Sequence, residues 1–182
     1  MGLRRPSILY HVSDKARLYE AALANVVAEV SSRVLATEAI PVDRLDAIAD
    51  VWIDFVIESP SAARLLLRQL IDGHEVESAE LLAGVNQIMN SIQAAISEQL
   101  DPEAAKSVDA AEFALILSSA SLVWVASQKS VEGALGLDTL APRSVQRHRS
   151  TLRYLIREQT LGAAAASKRS ALPEIRSTTR PS

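Results

Sequence analysis

Apolar side chains return every third or fourth residue along almost the whole chain, a period that admits helices and little else. From Ser13 onward, Leu18, Ala22, Leu23, Val26, Val27, Val30 and Val34 form one stripe of a long helix. After Pro41, the set Leu45, Ile48, Ala49, Trp52, Phe55 and Val56 repeats the pattern, and Asp43, Asp46, Asp50 and Asp54 are expected to turn mostly away from it. Ser59-Pro60-Ser61 ends that helix and starts another, in which Leu65, Leu66 and Leu70 precede Gly73, a natural left-handed terminator. Leu81, Val85, Ile88, Met89, Ile92 and Ile96 line a further long helix, closed by Asp101-Pro102. A helix of about Asp109 to Ser130 carries a bulky stripe of Phe113, Ile116, Leu117, Ala120 and Trp124, with small residues elsewhere. Gly133 and Gly136 are expected to break the chain before a last helix of about Ser144 to Leu161, whose apolar side is Val145, Leu152, Leu155 and Ile156.

Composition agrees with an all-α fold. Aromatic residues are only 4% of the 182, and alanine is abundant, which favours helices over strands. The lack of cysteine excludes a disulfide framework and a thiolate metal site. No apolar run approaches the roughly 18 residues of a membrane helix, and Arg4-Arg5 is not followed by a signal-peptide core, so no membrane partner is expected and the expected compartment is the cytoplasm.

The net charge of −3 hides a segregation: the balance is +2 over residues 1–36, −12 over 37–142 and +7 over 143–182. An acidic middle is a poor nucleic-acid surface. Arg149, Arg153 and Arg157 recur at every fourth position, and Lys168, Arg169, Arg176 and Arg180 follow in a tail with little apolar content. Charge runs of this kind are expected to be solvated, and the tail to remain unordered.

The start of the chain carries the sharpest motif. Gly2 suits a tight inter-helix turn, Pro6 a first helical position, and Ser13 the cap of the next helix. Between them Ile8, Leu9 and Val12 are apolar anchors, whereas Arg4, Arg5, Ser7, Tyr10 and His11 offer groups that can read base edges or grip phosphates. Ungapped from Gly2 to Lys15, this segment resembles the recognition helix and following helix start of tetracycline-repressor (TetR) type transcriptional regulators. That resemblance implies that Arg5, Pro6, Ser7, Tyr10 and His11 face the major groove or its flanking phosphates, and that Lys15 holds a phosphate. Leu9 departs from the pattern, which more often has an aromatic residue there. The family places two further helices before the turn glycine, so the chain as numbered is expected to carry only the recognition half of a helix-turn-helix and to read DNA poorly by itself.

The resemblance also implies an architecture and partners: a partial DNA-binding domain with a connecting helix over residues 1–37, a ligand-binding and dimerisation domain over 38–162, and a basic tail over 163–182. The last two helices then form a four-helix interface with a second copy. A pocket for an unidentified small-molecule effector lies between the helices of the body, and its candidate walls are Trp52, Phe55, Met89, Phe113, Trp124 and Tyr154, the large residues on inward stripes. The three histidines form no zinc pattern, and the chain has no phosphate loop, nucleophile elbow or distinct carboxylate pair. A non-enzymatic, ligand-responsive regulator that binds an operator as a homodimer, with no cofactor and no metal, is the reading these features favour. The alternative is a helical dimerisation module that never reads DNA.

Overall fold

The structure, a computed structural model, describes residues 15–39, 43–73 and 78–170. The described residues are helical throughout apart from short connections, and no strand occurs among them. Helix α1 spans Lys15–Ala36 and ends in a single 3-10 turn, Thr37–Ala39; α2 spans Arg44–Glu58, α3 Pro60–Asp72 and α4 Ala79–Gln99. The short α5 covers Pro102–Ala105, α6 Ala110–Ala126, α7 Gln128–Leu135 and α8 Pro142–Ser170.

Local chemistry explains most boundaries. The Ser78 hydroxyl accepts from Leu81 N at 3.3 Å, and one Asp109 carboxylate oxygen accepts from Ala111 N and Glu112 N at 2.7 and 3.0 Å. Both satisfy amides that open a helix without an internal partner. Asp101 does the same for α5, with Pro102 at the first helical position. Gly73 and Gly136 close α3 and α7 at φ of 61° and 63°, the left-handed conformation a side chain would strain.

Three expectations change. The helix expected over Asp109 to Ser130 is two helices, α6 and α7, bent by 64° at Ser127. Gly133 lies inside α7 and ends nothing; Gly136 alone is the terminator. The last helix runs from Pro142 to Ser170, so residues 163–170, assigned by sequence to the tail, continue it as an alanine-rich stretch of high helix propensity.

The main core joins α2, α4, α6 and α8 around Phe55, Ile53, Ile96 and Leu122, each at most 1% exposed, and a smaller cluster of Leu23, Val27 and Leu81 couples α1 to the start of α4. Helices α1 and α4 run parallel in close contact: a Cβ on Gly84 would sit 2.7 Å from Val27 Cγ1, and the Ser31 hydroxyl donates to Gln87 Oε1 at 2.6 Å. No single described helix is long and apolar enough to cross a membrane.

Candidate functional site

The apolar stripes of α1, α4 and α6 face one another without filling the space between them. A cavity of about 330 Å³ remains there, at the seam between the two core clusters. Leu23, Val27, Val30 and Val34 make the α1 wall; α4 contributes residues from Leu81 to Ile92, and α6 residues from Ala111 to Leu122. Helix α2 adds Ile48 and Trp52, and α3 adds Leu66, Gln69 and Leu70. Among the described residues, no charged side chain lines the cavity, and Gln69 and Ser118 are the polar side chains besides the Trp52 indole. A volume of this size falls at the lower end of the range for small-molecule sites.

Exposure varies around the lining. Leu70, Val85 and Leu115 are 50%, 39% and 55% exposed, whereas Leu23, Val34, Ile48, Ile92 and Leu122 are at most 2% exposed.

Trp52 and Met89, two of the six expected wall residues, line this cavity. Phe55, fully buried, is core beneath the cation of Arg33, whose guanidinium carbon lies 5.4 Å from the ring centre. Phe113 lines a separate, smaller groove between α6 and α8. Trp124 stacks on His148 at 4.5 Å, and its indole N–H donates to the Thr139 carbonyl at 2.9 Å, pinning the α7–α8 connection. Tyr154 is 61% exposed. Aromatic size and helical phase select inward-facing residues, but not which of them border a void. The signal that would have found the walls is the run of Leu, Val and Ile stripes on α1 and α4, read as wall and not only as core.

Opposite the cavity, α2 meets α8 through charge. Asp50 takes both Arg149, through Nη1 at 3.0 Å, and Arg153, through Nε at 3.2 Å and a further contact from Nη2. Arg149 also donates to Asp54, and Arg157 Nη2 to Asp46 at 2.8 Å. These aspartates do not all turn to solvent as the helical phase suggested, since Asp46 is 9% exposed. The three arginines likewise pair within the chain. Burial opposes the charge on Arg149, but the hydrogen bonds it donates to Asp54 and Asp50 outweigh it and raise its pKa above the ordinary arginine value; Arg153 is raised chiefly by its bond to Asp50.

Arg4, Arg5, Pro6, Ser7, Tyr10 and His11, expected to meet DNA, lie outside the described residues. Lys15 opens α1 and is exposed. Among the described residues, no group of three or more His, Asp or Glu could hold a metal ion. Compared with family models, curated proteins and solved structures, the chain gives no match.

Proposed function

We propose that the chain is a ligand-responsive transcriptional regulator of the tetracycline-repressor type, a homodimer without catalytic activity. One observation carries this reading: α1 is both a wall of the cavity, through Leu23, Val27, Val30 and Val34, and the helix that begins at Lys15, immediately after the segment with DNA-reading chemistry. A ligand that fills the space enclosed by α1 and α4 with α2, α3 and α6 favours one placement of α1 against the rest of the body over another. That difference in affinity between two arrangements is what couples an effector to DNA binding. The ion pairs between α2 and α8 support the same picture by giving the body a fixed side against which α1 can move.

Exposed apolar residues on α6 and α8, among them Ile116, Val123, Leu155 and Leu161, support dimerisation through those helices, beside a groove of about 230 Å³ between Phe113, Ile116, Leu152 and Leu155. The same face favours the second reading, a module that pairs with another helical protein and never reads DNA.

Fluorescence anisotropy with DNA flanking the protein's own gene tests the choice on the full-length natural protein. Binding is expected to fall steeply with salt and to weaken on Arg5→Ala or Tyr10→Phe. Dimerisation in light scattering, without any DNA binding that responds to those substitutions, would favour the module.

A further inference from the structure

We infer that His148 is a proton-sensitive fastening between α6 and α8, and that taking up a proton releases its ring from Trp124 and frees the connection between α7 and α8. This fastening lies in the body of the bundle and works whether or not the chain reads DNA.

Trp124 is held at two points. Its ring lies on the His148 imidazole with 4.5 Å between centroids and 7° between planes, and its indole N–H donates to the Thr139 carbonyl at 2.9 Å. One tryptophan thus joins a side chain of α8 to the connection that precedes that helix. His148 Nε2 is buried and has no hydrogen-bond partner. A neutral imidazole tolerates this, because that nitrogen can be left without a proton. An imidazolium carries N–H on both nitrogens and would hold one of them sealed from water with no acceptor. Stacking attracts the charged ring to Trp124, but parallel planes direct the N–H along the indole face and not at it, so the missing acceptor is not replaced.

Among the described residues, no neighbouring charge offsets this cost. Helix α6 has no charged residue from Phe113 to Ala126. In the connection, Asp138 accepts from Gln128 Nε2 at 3.1 Å and from Leu140 N at 2.9 Å, and on α7 Lys129 and Glu132 are exposed. On α2, Asp50 and Asp54 are engaged by Arg149 and Arg153. At α5, which packs on α8, Glu103 pairs with Lys106 at 2.7 Å, and Arg143 and Arg147 on α8 itself are exposed. Burial alone accordingly lowers the His148 pKa.

The test is indole N–H exchange, followed by NMR on the full chain from about pH 7.5 to about pH 5 and corrected for the intrinsic exchange rate. The chain has two tryptophans, Trp52 and Trp124, whose signals are assigned with Trp52→Phe; in the natural chain Trp52, on α2, reports any general loosening. The released ring takes its proton at the ordinary pKa near 6.5, so protection of the Trp124 N–H is expected to fall about tenfold per pH unit below that value, while Trp52 keeps its protection. His148→Phe, which leaves a ring on Trp124 without a titrating group, is expected to make Trp124 protection independent of pH. Constant Trp124 protection across this range in the natural chain would overturn the inference. So would loss of protection by both tryptophans together, or the same pH dependence surviving in His148→Phe. The first two results are read on the natural chain, so the test does not depend on the variant folding.

Discussion

Two sides of this bundle are built from stripes of the same helical period and end up physically opposite. Between α2 and α8, Asp46, Asp50 and Asp54 face Arg157, Arg153 and Arg149 in antiparallel order, and each carboxylate takes at least one guanidinium. Between α1, α4 and α6 the stripes are Leu, Val and Ile, and they leave a cavity of about 330 Å³. Ion pairs specify partner and register, because a slip of one turn leaves a charge without its counterpart. Apolar contacts specify only that water be excluded, so a seam made of them can be incompletely filled and can change spacing at low cost. The seam with the specific chemistry is therefore the frame, and the seam with the generic chemistry is where a ligand and a movement can be accommodated.

That contrast can be broken by substitution, and the largest effect is expected in the buried part of the cavity wall. Leu122→Ala, at a residue 1% exposed, is expected to cost about 2–5 kcal/mol in chemical denaturation, because it enlarges an existing void. At Leu115, which lines the same cavity but is 55% exposed, the same truncation is expected to cost under about 1 kcal/mol. Equal costs would mean that Leu122 does not border an enclosed void. Next comes Asp50→Ala, which strips two arginines of their shared acceptor; about 1–3 kcal/mol is expected, with less effect at high salt. A loss near zero would make the α2–α8 pairing ornamental.

Adding volume sharpens the same distinction with opposite signs. Val56→Leu, in filled core away from the cavity, is expected to destabilise by about 1–3 kcal/mol through overpacking. Val30→Leu, with the void beside it, is expected to stabilise by about 0.5–2 kcal/mol, as cavity-filling substitutions do. If both destabilise, the space beside Val30 is too small to hold a ligand. The smallest effect is a pH slope where the frame's helix α8 meets α6. Burial against Trp124 lowers the His148 pKa, so the unfolded chain binds the proton more readily than the folded one. The stability held by neutral His148 is complete above the unfolded value near 6.5 and is lost as pH falls through the lower folded value. His148→Phe, which keeps a ring on Trp124, is expected to flatten that part of the pH–stability profile.

Much of the fold was legible because its signals are local. The stripes of α1, α2 and α4, the helix start near Asp109 and the terminator Gly73 depend on residues within a few positions of each other. The bend at Ser127 was not legible, since neither Gly nor Pro marks it and no side-chain cap holds it. Helix α5 left a signal that was read only as an ending: Asp101 before Pro102 is also a beginning. The ion-pair seam was half visible, as an acidic row at 46, 50 and 54 and a basic row at 149, 153 and 157 share a four-residue step. Treating each row as solvated discarded that match. Of the expected cavity walls only Trp52 and Met89 border the void, and size alone did not distinguish them from Phe55, which is packed on every side.

By itself the sequence determined that the chain is helical, where most of its helices start and stop, and which face of each is apolar; these follow from backbone hydrogen bonding and side-chain period within a turn or two. Tertiary structure alone decided which charged row meets which, across roughly a hundred residues of chain, and which apolar stripes meet without filling the space between them. A void is the difference between the volume enclosed by five helices and the volume of the side chains they point inward. No one of those helices contains that quantity.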